Sequence, residues 1–420
     1  MEGNIRKLEK EEFPSFVEIV VNAYPGTTKN TAEFKQKYVD SLVSIQEKVD
    51  TVHFYGLFRK DQLIGGMRIH HFTMNVYGKL IEAGGVGLVA VDLLHKKEKA
   101  AKDLIDYFIS YFKEKGNSIV MLYPFRPDFY KNMGFGYGTK MNQYQIEPVS
   151  FPKAATKEGL MYLDSSHQEL IKSCANRFAR STHGMILKTD HDLDILFKNP
   201  DHKLVGFMEN GELQGYIVFT FKNADNENFL MNNLIVKEFI YETPKALTQL
   251  CHCLHTQADQ VNRIILNTPD DDIEFLISES RNGSNHLIPS VYHETKTSGI
   301  GLMYKIIDVP KFLLHLPAEH FPEKAYKLGL IVRDTFHSDE SQKWMLSFEK
   351  GKLTVDEHVL NSTDVELELD ISDLSSMAMG AVSADKLYQY GRLNINKPED
   401  LAVIKRLFSY LQKPTCTKAF

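Results

Sequence analysis

A repeat constrains the fold of this chain more than any other feature of its sequence. The segment at residues 56–66 aligns without gaps with the segment at 206–216, and both have the pattern of a β-hairpin. The second copy carries an Asn210-Gly211 pair, which favours a two-residue hairpin loop. A further strand and then a helix are predicted in each copy, over Val86–Val91 and Ala100–Lys115, then over Phe229–Val236 and Pro244–Gln260. A repeat at a spacing of about 150 residues indicates duplication of a whole domain.

The length of the chain and the pattern of predicted elements in its last third indicate a third domain. A chain of 420 residues is too long for one hydrophobic core. Pro148 and Pro152 interrupt regular structure after the first copy, so we predict domains at 1–150, 151–298 and 299–420. The predicted elements of the last domain are a hairpin at Trp344–Val355, a strand at Val365–Asp370 and helices at Ser372–Met379, Ser383–Tyr390 and Pro398–Leu411. This mixture predicts an α+β domain after two α/β domains.

The composition argues against several classes of function. The net charge of -6 gives no basic face for nucleic acid, and no segment approaches the roughly 20 apolar residues of a membrane span. Four cysteines are too few for a disulfide scaffold, and the N-terminus has no apolar signal core. Cys251 and His255 lack a second pair of ligands at zinc-site spacing. We therefore expect a cytoplasmic protein that binds neither nucleic acid nor membranes and needs no metal.

The junction between the strand at 89–91 and the helix from Ala100 is a candidate binding site. Backbone N–H groups are free where a strand runs into a helix, and such junctions bind phosphates. The edge N–H groups of Val89 and Val91 are predicted to hold the extended arm and the carbonyl group of a ligand. Three lysines lie where phosphates would meet the helix: Lys96, Lys97 and Lys99. The alternative is a buried strand that leads to a solvated turn.

A short aromatic motif supplies a candidate catalytic group. Phe129-Tyr130-x-x-Met133-Gly134-Phe135 resembles the FYxxxGF element of the GNAT acetyltransferases, and it lies one strand after the strand–helix unit, as in that superfamily. A phenol has an unperturbed pKa of about 10 and stays protonated at neutral pH, so Tyr130 can donate a proton to a departing thiolate. The alternative is an aromatic cluster that packs a short helix against the sheet, which is the role expected of Phe129 and Phe135.

The whole chain resembles the Eis (enhanced intracellular survival) acetyltransferases, which have two GNAT copies, a third domain and an aromatic last residue. The resemblance implies tandem GNAT-like domains, each a mixed sheet flanked by helices, of which the first binds acetyl-CoA and the second is degenerate. It implies a C-terminal α+β domain of the sterol-carrier type. The acceptor would be a small-molecule or peptide amine of the aminoglycoside, polyamine or lysine type. The resemblance also implies a homo-oligomer, with a hexamer known in that family.

The same resemblance assigns the general base to the terminal carboxylate, here that of Phe420. Desolvation in a pocket raises the pKa of a carboxylate and makes it a better proton acceptor. The alternative is a frayed chain end. Against that alternative, Cys416 and Phe420 are apolar residues that lie beyond Pro414 and the last predicted helix.

Matching the family's motifs onto this chain gives the candidate contacts with acetyl-CoA. They are Val89, Ala90, Val91, Lys97, Glu98, Lys99, Ala100, Ala101, Lys102, Phe125 and Arg126. Lys99 departs from the family pattern, because the superfamily's pyrophosphate loop has its first glycine at this position. A side chain there is expected to crowd the phosphates. The alternative function that follows is a catalytically impaired GNAT-fold protein that binds a small molecule or a lipid.

Overall fold

The structure is a computed structural model, and it describes residues 3–225, 227–228, 231–357, 362–409 and 412–420. In these ranges the strands are, in chain order, β1 (Asn4–Lys7), β2 (Val52–Arg59), β3 (Gln62–Val76), β4 (Lys79–Val91), β5 (Ile119–Leu122), β6 (Gly136–Tyr137), β7 (Met141–Ile146), β8 (Leu160–Tyr162), β9 (Lys203–Glu209), β10 (Glu212–Asn223), β11 (Asn232–Tyr241), β12 (Val261–Thr268), β13 (Leu287–Ile288), β14 (Tyr292–His293), β15 (Lys296–Gly299), β16 (Met303–Ile306), β17 (Tyr326–Arg333), β18 (Gln342–Glu349), β19 (Lys352–Glu357), β20 (Val365–Asp370) and β21 (Leu393–Ile395). The α-helices are α1 (Phe13–Ala23), α2 (Ala32–Lys48), α3 (Ala100–Glu114), α4 (Pro127–Lys131), α5 (Gln168–Ser181), α6 (Asp190–Lys198), α7 (Pro244–His255), α8 (Val309–Leu313), α9 (Ile371–Ala378), α10 (Ala384–Gln389) and α11 (Leu401–Leu407). None of the helices in these ranges is long and apolar enough to cross a bilayer.

The chain forms two compact units, of which the first contains residues 1–138, 302–411 and 419–420 and the second residues 139–301 and 412–418. The first unit has a seven-stranded mixed sheet in the order β1-β2-β3-β4-β5-β16-β6. Strands β4 and β5 are parallel and α3 connects them, whereas β2, β3 and β4 are antiparallel neighbours. The predicted hairpin and strand–helix–strand unit are therefore confirmed.

Helices cover both faces of this sheet. On one face, α3 buries a stripe of apolar residues that are at most 3% exposed: Leu104, Ile105, Phe108, Ile109 and Phe112. On the other face, Phe13 and Phe16 of α1 pack with Phe54 of β2. Because both faces are covered, the whole of β5 is buried, which agrees with its unbroken apolar sequence.

The second unit repeats this order of elements. Its sheet runs β15-β7-β12-β11-β10-β9-β8, and β11 and β12 are parallel with α7 between them, as β4 and β5 are with α3. The predicted duplication is confirmed. Helix α7 ends at His255, earlier than the predicted Gln260. Phe229, the first residue of the strand predicted at Phe229–Val236, lies outside the described residues.

Two strands do not follow the predicted domain limits. Strand β7 precedes residue 150 but pairs with β12 in the second sheet. Strand β16 follows residue 299 but pairs with β5 and β6 in the first sheet. Both pairings join strands that are far apart in sequence, so neither a turn signal nor a hydrophobic period marks them. The limits 1–150, 151–298 and 299–420 stay a prediction.

The C-terminal part of the first unit is an α+β domain. Its sheet runs β19-β18-β17-β20-β21. The predicted hairpin, strand and first two helices correspond to β18–β19, β20, α9 and α10. Helix α9 is buried along its whole length, and Ser375 Oγ accepts a hydrogen bond from the Ile306 N–H at 3.0 Å. The helix predicted at Pro398–Leu411 is shorter, since α11 covers Leu401–Leu407 and residues 410–411 lie outside the described ranges.

A buried ion pair joins this domain to the first sheet. Lys305 of β16 is 1% exposed, and its Nζ lies 2.7 Å from Oδ2 of Asp334, which follows β17. The same Nζ donates to the carbonyl oxygen of Met133 at 2.9 Å. Burial lowers the pKa of Lys305, and the carboxylate of Asp334 opposes that shift. Lys305 therefore holds the segment after β17 against Met133, in the part of the aromatic motif that follows α4.

Asp334→Asn keeps the shape of this side chain and removes its charge. The free energy of unfolding is expected to fall by about 3 kcal/mol, because Lys305 stays buried without its counter-ion. Urea unfolding followed by circular dichroism measures the change. Glu368→Gln is the control, since Glu368 and Arg333 form a pair at 3.6 Å with side chains 38% and 52% exposed. The control should change stability by less than about 0.5 kcal/mol, and a similarly small change for Asp334→Asn would contradict the prediction.

Candidate active site

Strands β4 and β5 diverge and open a gap at the edge of β4. Strand β5 pairs with β4 only over Gly84–Val86. Beyond that point β4 continues along β3 to Val91, with a bulge at which Leu88 has a φ of 51°. The hydroxyl of Tyr24, which follows α1, donates a hydrogen bond to the Val89 carbonyl oxygen at 2.7 Å. The edge of β4 that β5 leaves uncovered can bind an extended acyl arm through its backbone.

The turn between β4 and α3 has the backbone of an anion-binding loop. Lys97 and Lys99 both take left-handed conformations, with φ of 67° and 65°. Alternating backbone hand directs successive N–H groups to one side, and the start of α3 adds its partial positive charge. We expected Lys99 to crowd the phosphates, but its backbone has the conformation that a glycine would provide and its side chain is exposed. Crowding of the phosphates by the side chain of Lys99 stays a prediction.

A cavity of about 840 Å³ lies beside this loop, the end of β4 and α4. The predicted cofactor residues in its wall are Val89, Val91, Lys97, Lys99, Ala100, Ala101, Lys102, Phe125 and Arg126. The structure describes Ala90 and Glu98 but does not place them in this wall. Ala90 is 1% exposed among side chains of α1 on the other face, because neighbouring strand residues alternate. Glu98 instead pairs with Arg59 at 3.1 Å and with His95 at 3.0 Å.

The C-terminal domain supplies part of the same wall, which the sequence analysis missed. Thr335 and Phe336 follow β17 and line the cavity. The ring of Phe336 lies near two ammonium groups, with Lys102 Nζ 5.0 Å and Lys305 Nζ 5.2 Å from its centroid. No local pattern marks these two residues, because the buried Lys305–Asp334 pair brings them to the cavity. The basic wall residues are Lys96, Lys97, Lys99, Lys102 and Arg126, a set suited to phosphates.

Tyr130 lies in α4 and is 3% exposed. Its ring packs against the rings of Phe125, Phe129 and Phe135, at centroid distances of 5.6, 5.2 and 6.1 Å. Burial raises the pKa of Tyr130, and the nearby Tyr24 raises it further. The phenol therefore keeps its proton at neutral pH. Phe129, expected only to pack the helix, also lines the cavity, whereas Phe135 is fully buried in the core.

The chain ends against β3 and β4. The ring of Phe420 packs against the rings of Phe72, Tyr123 and His70, at centroid distances of 4.8, 5.2 and 5.5 Å. Its carboxyl group lies over Gly87, where an added Cβ would be 3.3 Å from both the terminal carbon and its oxygen. The last residue thus has a defined place in the structure instead of the frayed end that we considered.

Glycines on β4 provide the space for the terminal residue. Gly85 and Gly87 stand opposite His70 and Arg68 in the register of β3 and β4. A Cβ on Gly85 would lie 3.1 Å from the terminal ring. Glycines inside a strand weaken it and often mark the close approach of another group. The glycine-rich stretch at 84–87 is therefore the sequence signal that could have located this contact.

Arg68 brings a positive charge to the same place and was also missed from the sequence. Its Nη2 lies 3.4 Å from the point where a Gly87 Cβ would be, the point that the terminal carboxyl group also approaches. Burial lowers the pKa of Arg68, and the hydroxyls of Tyr38 and Tyr24 oppose that shift. Tyr24 thus borders Arg68, Tyr130 and the Val89 carbonyl.

The adjacent histidines of β3 face opposite ways, as strand alternation requires. His70 contacts the ring of Phe420. His71 faces α3 instead, with its Nε2 3.1 Å from the hydroxyl oxygen of Tyr111. Burial lowers the pKa of His71 to about 4, so it is neutral at physiological pH.

The matching junction of the second unit has different chemistry. Thr243 caps α7 by accepting a hydrogen bond from the Ala246 N–H. Glu242, which precedes it, accepts a hydrogen bond from Arg177 at 2.6 Å. The residue before α7 is thus a threonine that caps the helix, whereas the residue before α3 is Lys99. That the second copy is degenerate stays a prediction.

Lys99→Gly keeps the left-handed backbone and removes the charge. The Kd for coenzyme A is expected to rise about twofold to fivefold at low salt, because an exposed ammonium adds a small, screened attraction to a phosphate. Isothermal titration calorimetry measures it, and the difference should vanish at high salt. Lys350→Gly is the matched control, since Lys350 is also exposed and has a φ of 52°. Tighter binding by Lys99→Gly would instead show that this side chain crowds the phosphates.

Three family models match the chain. An acetyltransferase (GNAT) domain matches residues 4–138, a second acetyltransferase (GNAT) domain matches residues 184–295, and a sterol carrier protein domain matches residues 309–417. The three matches follow the predicted order of two GNAT copies and a sterol-carrier-type domain. No curated protein matches the chain.

Solved structures share the fold over the full length of this chain and of their own. A GCN5-related N-acetyltransferase from Anabaena variabilis is 17% identical with a TM-score of 0.81. A conserved protein from Enterococcus faecalis, described as a probable N-acyltransferase, is 19% identical with a TM-score of 0.77. Eis1 from Mycobacterium abscessus is 18% identical with a TM-score of 0.76. At these identities the likeness shows the fold.

Proposed function

We propose, on the premise that this chain belongs to the Eis-like acetyltransferases of the GNAT superfamily, that it transfers the acetyl group of acetyl-CoA to a primary amine by direct attack in a ternary complex. The acceptors in this proposal are amines of the aminoglycoside, polyamine or lysine type. The observation that carries it is the position of the Phe420 carboxyl group over Gly87, on the strand whose edge at Val89 borders the cavity.

Acetyl-CoA is the donor, and the cavity beside α3 is its proposed site. The lysine-bearing loop and the start of α3 would bind the pyrophosphate through backbone N–H groups and ammonium groups. The uncovered edge of β4 at Val89 and Val91 would hold the pantetheine arm and the thioester carbonyl. Phe129 and Phe336 would contact the apolar parts of the arm.

The reaction then needs two proton transfers. The Phe420 carboxylate takes a proton from the bound neutral primary amine as the amine nitrogen attacks the thioester carbonyl carbon. The C–S bond breaks as the amide forms, and the thiolate takes the phenolic proton of Tyr130. Release of the proton from Phe420 and reprotonation of Tyr130 restore the starting state. Tyr130 suits the acid role because its raised pKa keeps it protonated.

Thiol release from acetyl-CoA with a panel of aminoglycosides, polyamines and lysine-containing peptides tests the proposal. Turnover that depends on the amine, with the acetylated product identified by mass spectrometry, is the expected result. Calorimetry with coenzyme A separates the alternative. Binding without turnover on any amine would favour a catalytically impaired protein, and absence of binding would remove acetyl-CoA from the proposal.

The same proposal includes a homo-oligomer, of which a hexamer is the form that the family resemblance implies, in the cytoplasm. Light scattering of the purified chain after size-exclusion chromatography measures the mass. A mass of one chain, 48.1 kDa, at the concentration used for turnover would contradict the oligomer and leave the chemistry unaffected.

A further inference from the structure

The guanidinium of Arg68 lies beside the proposed base, the terminal carboxyl group of Phe420. Arg68, His70 and Phe72 lie on one face of β3 because strand residues alternate. His70 and Phe72 contact the ring of Phe420, and Arg68 stands opposite Gly87 beside the terminal carboxyl group. Arg68 therefore lies on the same face of β3 as the residues that contact the proposed base, and closer to the Val91 end of β4.

The side chains around Arg68 in the described part of the chain do not balance its charge. Its Nε is buried and makes no hydrogen bond, and Arg68 forms no salt bridge with the carboxylate side chains of the described residues. The ionisable side chains that act on it are Tyr38 and Tyr24, both neutral phenols at physiological pH. A buried cation without a counter-ion is costly, so a site of this kind is suited to an anion.

The anion has to come from the acceptor. In the proposed complex, the phosphates of acetyl-CoA bind to the loop before α3 and to the lysines of the cavity wall. The thioester arm that reaches Val89 carries no charge. The terminal carboxylate lies near Arg68, but its proposed task is to accept a proton from the amine. A planar guanidinium pairs with a carboxylate or a phosphate through two parallel hydrogen bonds.

We propose that Arg68 binds an anionic group of the acceptor, so that the preferred substrates are primary amines that also carry a carboxylate or a phosphate. This inference rests on the proposed acetyl transfer and narrows its acceptor. Arg68 Nη2 and the Phe420 terminal carbon lie within 3.4 and 3.3 Å of one point above Gly87. One small molecule can therefore place its amine at the base and its anion at the guanidinium. Polycationic amines meet a like charge there.

Matched acceptors test the inference. We compare kcat/KM for 4-aminobutanoate with that for 4-aminobutanamide and for 1,4-diaminobutane, and for O-phosphoethanolamine with that for ethanolamine. The carboxylate and phosphate arms separate the two sources of anion. At least one anionic acceptor should be preferred over its neutral partner by about 10-fold to 100-fold, the range for a charge-assisted pair. A preference for the neutral or dicationic amine would overturn the inference while leaving acetyl transfer in place. Absence of turnover on any of these amines and on the wider panel would mean that the proposed function itself has failed.

Arg68→Gln separates acceptor binding from two other roles. The variant should lose the preference for the anionic acceptor over its neutral partner by about 10-fold, mainly through KM. An equal loss for all acceptors would show that Arg68 instead positions Phe420 or stabilises the reacting carbonyl, and would overturn the inference. The affinity for coenzyme A reports that the fold is intact. Arg333→Gln, at an exposed position, is the matched control.

Discussion

Deletion of Phe420 is expected to lower kcat by about 100-fold to 10,000-fold, the usual contribution of a positioned general base. The shortened chain ends at Ala419, so its carboxylate no longer lies over Gly87, where the structure places the terminal group of the full chain. The contacts of the Phe420 ring with Phe72 and Tyr123 are lost as well. The change is measured as steady-state turnover with the best acceptor of the panel, with the release of free thiol as the readout.

Two variants separate the carboxylate from the ring. One glycine added after Phe420 keeps the ring and converts its carboxylate into an amide, so kcat should fall as far as in the deletion. Phe420→Leu keeps the carboxylate and loses aromatic contacts, so a loss of no more than about 10-fold is expected. Unchanged turnover in the glycine-extended chain would remove the terminal carboxylate from the mechanism. The Kd for coenzyme A should stay within about twofold in all three variants, because the donor cavity is not altered.

Local patterns predicted most of the architecture. The apolar stripe of α3 and the glycine after it gave the helix as Ala100–Lys115, one residue longer than it is. The duplicated hairpin, strand and helix were found because each copy contains its own turn and hydrophobic period. The placement of β7 and β16 could not be found in this way, since each pairs with strands distant in sequence. Strand pairing of that kind depends on the assembled sheets.

The residues of the candidate site also divide into those that a local pattern predicts and those that depend on long-range contacts. Val89, Val91 and the lysines of the loop before α3 could be predicted because a strand, a turn and a helix follow one another there. Thr335 and Phe336 could not, because they come from another domain and reach the cavity through a buried ion pair. Arg68 has an ordinary sequence context, and only its place opposite Gly87 distinguishes it. Side chains that meet across strands or domains have no regular spacing in the sequence, so no local pattern predicts their contact.

Tyr130→Phe removes the proposed proton donor with the smallest change of shape. The ring contacts of Tyr130 with Phe125, Phe129 and Phe135 can persist, so the fold and the Kd for coenzyme A should be nearly unchanged. kcat should fall by about 100-fold or more, because the thiolate then leaves without a general acid. A loss in kcat with unchanged KM indicates an interaction made only in the transition state. Single-turnover kinetics with saturating acetyl-CoA measure the chemical step apart from product release.

Tyr24→Phe is the matched comparison, because it removes a phenolic hydroxyl from the wall of the cavity, where Tyr24 lies and Tyr130 does not. That hydroxyl donates to the Val89 carbonyl, so its loss should weaken the hold on β4 and raise the KM for acetyl-CoA more than it lowers kcat. Tyr162→Phe, at a position 80% exposed, should change neither.

The pH profile gives an independent check on the identity of the acid. Because burial raises the pKa of Tyr130 above its usual value of about 10, the phenol is protonated at lower pH and loses its proton only above that value. Activity that depends on this proton should therefore show no alkaline decline from Tyr130 below about pH 10.

An equal loss of kcat in Tyr24→Phe and Tyr130→Phe would mean that the two hydroxyls act through the shape of the cavity. A loss confined to Tyr130→Phe assigns the proton to that residue.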